Sequence, residues 1–268
     1  MLRSLFVIAI LISQTAYSQL VQSTFSSGTE GWLSLMLPYP EPGSPPTILQ
    51  TFTPNWGPGY ISLEDPDGSG STGNVQYWSA PARFLGNQIL AYGGTLSCYL
   101  RDDGSGFGTF HQEDVYLVGG GLTLVYDLTN PAPELTYTNV VVPLIEGRGW
   151  RHDNLSGAAA TQADMLTALN SLTAIYIRAE YQLGPDLAYL SNVVMTAGTT
   201  LEILPSSGGV NLLFGTVTNQ TYQLQYTTNL SNLQWVDFGG PITGTGTLTN
   251  ILDAVNTSAA KFYRYKIN

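Results

Sequence analysis

The sequence predicts an all-β protein with one short helix, arranged as a jelly-roll-type β-sandwich followed by a small antiparallel β-sandwich. Three observations predict this fold class. Short runs rich in β-branched and aromatic residues recur along the chain between Gly or Pro clusters. Charged residues make up only 10% of the chain, a balance more typical of β-rich proteins than of helical ones. Only the segment near residue 165 has helical periodicity instead.

The first 18 residues have the pattern of a secretory signal peptide. Arg3 precedes an apolar run at residues 5–12, and Ala16-Tyr17-Ser18 fits cleavage after Ser18. The run is shorter than the roughly 20 apolar residues that cross a bilayer, although an uncleaved anchor is the alternative. We therefore expect a protein secreted to the extracellular space or the cell envelope, with no membrane span after cleavage.

Residues 19–198 are predicted to form the first domain. Two strand-like runs and a proline-rich stretch at residues 38–46 lead into a series of short β-type runs between residues 60 and 196. One segment differs, because Thr161 and Asp164 form a capping pattern ahead of an apolar stripe at residues 165, 166, 169 and 172. We expect a single amphipathic helix packed on the sandwich.

Residues 199–268 are predicted to form the second domain. Six strand-like runs follow one another here, and residues 222–226 and 262–267 alternate between apolar and polar side chains. This pattern suits a small antiparallel sandwich of immunoglobulin or fibronectin type III style. The small residues around Gly198 mark the boundary.

Charge and cysteine content restrict the classes of partner and of chemistry. The net charge is −10, and it becomes −11 once Arg3 is removed, so we expect an acidic surface that repels nucleic acids and acidic polysaccharides. Cys98 is the one cysteine in the sequence, which excludes an internal disulfide. Alternation places it on the same strand face as Leu96 and Leu100, which predicts a buried, inert thiol.

Two kinds of binding site are predicted. Asp65, Asp67 and Ser69 alternate in one acidic loop and could supply oxygen ligands to calcium; an acidic turn without metal is the alternative. No other cofactor is indicated. Aromatic residues in loop-like settings are candidates for stacking on sugar rings, and the alternative for each is a role as a core or loop anchor. They are Trp56, Trp150 and Tyr39.

Two groups of titratable residues are candidates for catalysis. They lie at residues 111–114 and 151–153, and neither has the paired carboxylates of a glycosidase or the oriented base of a serine hydrolase. We expect both to be solvated turns, and we expect no enzyme activity. Arg178 lies within an apolar strand and is expected to pair with a carboxylate such as Glu146.

Four ordered segments carry a family resemblance. Residues 75–96 contain Tyr-Trp-x-Ala-Pro-x-x-Phe-Leu-Gly, starting at Tyr77, and segments 114–124, 146–179 and 190–197 follow in order. Together they resemble the laminin IV type A (laminin B) family and cover about half of the chain. Asn87 and Ala91 depart from the family pattern.

The resemblance implies a secreted, non-catalytic jelly-roll sandwich that binds an extracellular glycan or protein. A structural spacer of the cell envelope and a carbohydrate-active enzyme of unrecognised type are the alternatives. The family's module lies within a cysteine-rich array that this chain lacks. Residues 199–268 look instead like a C-terminal β module of secreted bacterial proteins, so the chain resembles a bacterial secreted form.

Overall fold

A computed structural model describes most of the chain. The described residues are 19–38, 46–65, 73–103, 109, 111–128, 136–198, 201–216, 220–231, 234–245, 247–254 and 261–267. Over these residues the protein is almost entirely β, with one α-helix, as predicted. The chain divides into two compact units, which we call the N-terminal unit (Gln19–Thr196) and the C-terminal unit (from Ala197). None of the described helices is long and apolar enough to cross a membrane.

The N-terminal unit contains thirteen strands and the helix among its described residues. In chain order these are β1 (Gln19–Ser23), β2 (Leu33–Pro38), β3 (Gln50–Phe52), β4 (Asn55–Gly57), β5 (Tyr60–Asp65), β6 (Asn74–Ser79), β7 (Thr95–Asp102), β8 (Val115–Gly119), β9 (Leu122–Tyr126), β10 (Thr138–Pro143), β11 (Arg151–His152), α1 (Gln162–Asn170), β12 (Leu172–Arg178) and β13 (Asp186–Thr196).

These strands form two antiparallel sheets. Sheet A has the order β10-β7-β13-β5-β4, and β1 also pairs with β13. Sheet B has the order β11-β9-β8-β12-β6-β2-β3. Three pairs of successive strands are neighbours, which are β2–β3, β4–β5 and β8–β9. The other pairs join strands that are distant in sequence, so long-range pairing holds each sheet together.

One apolar core joins the two sheets. Leu100 and Leu190 enter it from sheet A, and Leu117 and Ile177 enter it from sheet B. Cys98 belongs to the same core, which confirms the predicted burial of its thiol. Because alternate residues of each strand face this core, the N-terminal unit is a β-sandwich.

Helix α1 closes one part of the core and begins as predicted. The Thr161 hydroxyl accepts a hydrogen bond from the Asp164 backbone N–H at 3.3 Å, and the Asp164 carboxylate accepts one from the Thr161 backbone N–H at 2.8 Å. Met165 and Leu169 are buried against the sandwich. The capping box therefore fixes where the helix starts, and its apolar stripe fixes which side packs.

Sheet B is buried on its outer face as well. Three tyrosines lie on that face and pack edge to face. The Tyr116 ring centroid lies 5.4 Å from that of Tyr77 and 6.2 Å from that of Tyr176. They belong to a second buried cluster that includes Leu35 and Leu37. Sheet B therefore has apolar packing on both of its faces.

The carboxylates of residues 111–114 are buried, so the expectation that this segment is a solvated turn is wrong for them. Glu113 accepts a hydrogen bond from the Leu155 backbone N–H, and Asp114 accepts one from the Leu128 backbone N–H. They are buried because the segment leads directly into strand β8. Backbone donors replace the lost water.

Arg178 pairs with a carboxylate as predicted, but the carboxylate is that of Asp114 and not that of Glu146. The Arg178 guanidinium donates to the Glu180 carbonyl oxygen at 2.6 Å, and its Nη1 lies 3.5 Å from Asp114 Oδ1. Glu146 instead accepts a hydrogen bond from the Tyr92 hydroxyl. Strand β12, which carries Arg178, pairs with β8, and this pairing brings the Asp114 side chain to Arg178.

The C-terminal unit is a smaller arrangement of antiparallel strands. They are β14 (Glu202–Ser206), β15 (Gly209–Gly215), β16 (Thr221–Thr227), β17 (Val236–Asp237), β18 (Ile242–Thr243), β19 (Leu248–Asp253) and β20 (Phe262–Ile267). One sheet has the order β14-β15-β19, and the other has the order β17-β16-β18 with β20 also paired to β16. Leu212, Phe214, Tyr222 and Leu224 share one core between the sheets. The immunoglobulin or fibronectin type III assignment of this unit stays a prediction.

Candidate functional site

The outer face of sheet A carries a row of aromatic side chains. Cys98 and Leu100 face the core, so Tyr99 and Arg101 on the same strand face outwards. Tyr189 on β13 lies directly opposite Arg101, and Ser62 on β5 lies opposite Tyr189. We define the tyrosine face as Tyr60, Tyr99, Tyr137, Tyr189 and Arg101, which cross the sheet from β10 to β5.

Contacts join four of these side chains, which are Tyr60, Tyr137, Tyr189 and Arg101. The Tyr189 ring centroid lies 5.5 Å from that of Tyr60 and 6.3 Å from that of Tyr137, both edge to face. The Arg101 guanidinium carbon lies 4.7 Å from the Tyr189 centroid and 5.8 Å from the Tyr137 centroid. Rings and guanidinium therefore form one continuous surface joined by aromatic and cation–π contacts.

Arg101 is held in place by a carboxylate. Its Nε donates to Asp103 Oδ1 at 2.8 Å, and a second guanidinium nitrogen donates to the other carboxylate oxygen. The hydrogen bonds with Asp103 raise the pKa of Arg101. The arginine therefore stays charged, and a bidentate pair fixes its plane against the tyrosine rings.

Part of the tyrosine face is open to solvent. Tyr99 is 38% exposed and Tyr137 is 39% exposed. Small polar side chains surround the rings, because Tyr99 lies opposite Ser191 on one side and Asn139 on the other. The surface thus offers aromatic rings with hydroxyl and amide groups between them.

A glycine allows Tyr60 to lie across the sheet edge. A Cβ added at Gly57 would stand 2.3 Å from Tyr60 Cζ, so any side chain at this position would displace the ring. Gly57 lies opposite Tyr60 on the edge strand β4. The edge of the tyrosine face therefore depends on this glycine.

Trp56, a predicted sugar-stacking residue, lies beside this face rather than on it. Its ring is 48% exposed, and its indole N–H donates to the Phe25 carbonyl oxygen at 2.8 Å. Trp56 lies opposite Ile61, a core residue, so its side chain leaves β4 on the core side of sheet A. It is an exposed aromatic at the edge of the sandwich.

Trp150, the second predicted stacking residue, is only 1% exposed, which corrects the expectation of an open ring in a loop. Its indole N–H donates to the Pro143 carbonyl oxygen at 2.6 Å, and its ring packs at 5.2 Å from that of Tyr126. The ring is a core anchor and has no free face for a sugar. Tyr39, the third predicted residue, lies outside the described residues.

The predicted calcium loop is only partly described. Asp65 is buried at the end of β5, whereas Asp67 and Ser69 lie outside the described residues. Asp65 pairs in register with Asp186, a buried residue at the start of β13. In the described part of the chain, no three acidic, histidine or cysteine side chains already stand at metal-ligand spacing.

Both histidines have a carboxylate partner. His111 Nε2 lies 2.9 Å from Asp127 Oδ1, and His152 Nε2 lies 3.0 Å from Asp164 Oδ2. Hydrogen bonds from Thr161 and His152 lower the pKa of Asp164. His152 therefore supports the start of helix α1, and each histidine forms a local pair.

Tyr99, Arg101, Tyr137 and Tyr189 were not among the residues that the sequence singled out. The alternation that placed Cys98 in the core could have found two of them, because it puts Tyr99 and Arg101 on the opposite face of the same strand. Sequence alone could not have joined them to Tyr189, since β7 and β13 are far apart in the chain.

Comparison with known proteins gives matches of three kinds. The family model described as Laminin B (Domain IV) matches residues 77–207. The chain is 34% identical over 125 residues to the basement membrane proteoglycan of Caenorhabditis elegans, which covers 46% of this chain and 4% of that protein. It is 30% identical over 142 residues to laminin subunit alpha-1 of Mus musculus, which covers 51% of this chain and 5% of that protein.

A solved structure shares the fold. The L4b domain of human laminin alpha-2 is similar with a TM-score of 0.52 and 19% identity, and the match covers 68% of this chain and 100% of that domain. At this identity the likeness shows the fold alone. The family model, the relatives and the shared fold together support a laminin IV domain in this chain.

Proposed function

We propose that the protein is a non-catalytic extracellular binding module that holds a neutral saccharide against the tyrosine face. The observation that carries the proposal is the exposed row of aromatic rings on sheet A, whereas the tyrosines on the outer face of sheet B are buried. The similar proteins are laminins and a basement membrane proteoglycan, which supports an extracellular setting.

The chemistry of the tyrosine face suits a sugar. The apolar face of a pyranose ring packs on aromatic rings, while hydroxyl and amide groups bind its hydroxyls. Tyr99 and Tyr137 provide exposed rings, and Ser191 and Asn139 lie beside Tyr99. A neutral sugar fits better than an acidic one, because Asp103 already neutralises Arg101 and the chain carries a net charge of −10.

A glycan array followed by calorimetry tests this proposal. We expect Tyr99→Ala and Tyr189→Ala each to weaken binding of a neutral glycan roughly tenfold, or about 1.4 kcal/mol. Leu33→Ala is the matched control, because Leu33 is 39% exposed but lies on sheet B. An equal loss in the Leu33 variant would show that the tyrosine face is not the site.

The same surface also suits a protein partner. Tyrosine and arginine are enriched in protein interfaces, and Val141 adds an exposed apolar side chain from strand β10. If no glycan on the array binds and the protein instead binds a matrix protein through Tyr99, the result would favour a role in protein adhesion. If neither a glycan nor a matrix protein binds, the result would favour a structural spacer.

A further inference from the structure

The outer face of one sheet in the C-terminal unit carries a row of polar side chains. Tyr222 and Leu224 on β16 belong to the core of this unit, so Gln225 faces outwards. Gln225 lies directly opposite Asp237 on β17 and opposite Arg264 on β20. Residues that lie opposite each other share a face of the sheet, so this row, which we call the arginine row, crosses three strands.

Hydrogen bonds and an aromatic ring hold Arg264 in the arginine row. Its Nε donates to Gln225 Oε1 at 2.8 Å, and Gln225 Nε2 donates to Asp237 Oδ1 at 2.7 Å. The guanidinium carbon lies 4.3 Å from the centroid of the Trp235 ring. Among the described residues, none accepts a hydrogen bond from the two terminal nitrogens of Arg264. The guanidinium is therefore fixed in orientation, and its terminal nitrogens are available to a ligand.

Two basic side chains on this face have no ion-pair partner within the described residues. They are Arg264 and Lys266, which lie two residues apart on β20 and so point to the same side of the sheet. Lys266 is exposed and Arg264 is partly exposed. Lys261 differs, because it lies 2.7 Å from the Asp253 carboxylate. A negatively charged ligand would therefore meet two basic groups that no ion pair already occupies.

The C-terminal unit does not share the acidity of the whole chain. Residues 197–268 contain three Lys or Arg and three Asp or Glu, so the net charge of −10 belongs to residues 1–196. Salt screens charges beyond about 8 Å, so the groups next to a ligand decide whether it is repelled. The repulsion of acidic polysaccharides that the total charge predicts therefore need not apply to this face.

The groups of the arginine row match a sugar that carries a carboxylate. The terminal nitrogens of Arg264 can hold a carboxylate in a bidentate pair. Asp237 is exposed, and its second oxygen can accept a hydrogen bond from a hydroxyl group. The backbones of Asp237 and Arg264 lie on either side of β16, about 10 Å apart. A peptide rich in acidic residues fits less well, because Asp237 would repel it.

We propose that the arginine row binds a saccharide that contains a uronic acid. Arg264 binds the carboxylate of the sugar, Asp237 accepts hydrogen bonds from its hydroxyls, and Lys266 adds a second positive charge. The site lies within the C-terminal unit and shares no residue with the tyrosine face. The chain would thus have two saccharide sites of different charge preference.

Calorimetry of the full chain with trigalacturonic acid, and with its uncharged methyl ester, tests the proposal. We expect the acid to bind at least about tenfold more tightly than the ester, because the ester cannot pair with the guanidinium. Arg264→Gln should weaken binding of the acid by at least about tenfold and remove this preference. Arg151→Gln is the matched control, because Arg151 is an exposed arginine of the N-terminal unit, and it should keep wild-type affinity.

Two further variants separate loss of the site from loss of the fold. Arg264→Lys keeps the charge but not the planar fork, so it should bind the acid more weakly than the wild type. Lys266→Gln, at an exposed position, should weaken binding about threefold at low salt without a change in Tm. These two variants provide the test if Arg264→Gln does not fold.

Several outcomes would overturn the proposal. They are the absence of binding of the acid, equal binding of the methyl ester, and wild-type affinity of a folded Arg264→Gln variant. Equal binding of a triglutamate peptide would overturn the choice of a saccharide. Tyr99→Ala should leave binding of the acid unchanged, so failure of the tyrosine face as a site and failure of the arginine row are distinguishable.

Discussion

Cys98 has the character of a core residue, not of a reactive thiol. It is buried between the sheets, and burial raises its pKa to about 12. The thiolate, which is the reactive form, is therefore scarce at neutral pH.

We expect native protein to resist labelling by a thiol reagent near neutral pH, and denatured protein to react at one site per chain. A spectrophotometric thiol assay with and without guanidinium checks this prediction. Rapid labelling of the native protein would mean that the strand around Cys98 opens readily.

Arg178 and Asp114 form a buried ion pair whose loss should be costly. Burial raises the pKa of Asp114 to about 6, while the Arg178 charge acts to lower it. We expect Arg178→Met to reduce the free energy of unfolding by about 3–5 kcal/mol near neutral pH, because it strands a buried carboxylate. Urea unfolding measures the loss, and Arg151→Met, at an exposed arginine, should change little.

The pH dependence of the free energy of unfolding of Arg178→Met shows whether the ionised Asp114 causes the loss of stability. The pKa of Asp114 is higher in the folded than in the unfolded state, so its ionisation opposes folding as the pH rises from about 4 through 6. The deficit of Arg178→Met should therefore shrink in acid, where Asp114 is protonated. A deficit that stays constant with pH would point to lost packing around the arginine instead.

At the scale of elements, helix α1 packs closely on the hairpin of β8 and β9. A Cβ at Gly119 would stand 2.4 Å from the Ala168 carbonyl oxygen and 2.8 Å from that of Ser171. The end of the helix therefore depends on a bare backbone at the end of β8.

Gly119→Ala should lower the free energy of unfolding by about 1–3 kcal/mol, because the added methyl group forces the helix away from the hairpin. Thermal and urea unfolding check this. Gly208→Ala is the control, because no heavy atom lies within 4 Å of a Cβ built there. Equal effects of the two substitutions would rule out the close approach as the cause.

Local periodicity predicted the helix and most strands, since both depend on neighbours in sequence. Long-range strand pairing could not be predicted in this way. Strand β13 begins at Asp186, which lies opposite Asp65 on β5. The register of these two strands is set by packing across the sandwich, because they are far apart in the chain.

At the scale of the molecule, the acidic composition overstates the acidic surface. Among the described residues, seven carboxylates are buried: Asp65, Asp102, Glu113, Asp114, Glu180, Asp186 and Asp253. The net charge of −10 is therefore spread over fewer exposed acids than the sequence suggested. Composition gives the total charge but cannot say which carboxylates the fold removes from water.

Each unit has its own core, so we expect residues 19–198 to fold without the rest of the chain. Calorimetry of this fragment should show one cooperative unfolding transition, and the same transition should appear in the full chain. A fragment that lacks cooperative unfolding would mean that the N-terminal unit needs residues beyond 198.

The N-terminal unit begins and ends at the same place. Strand β1 pairs with the last part of β13, and Gln19 lies opposite Thr196, which leaves the two backbones only about 5 Å apart. A host protein could therefore take up this sandwich within a single surface loop, because the flanking segments enter and leave side by side. The same sandwich could therefore be inserted into host proteins of different folds without a change in the structure of the host.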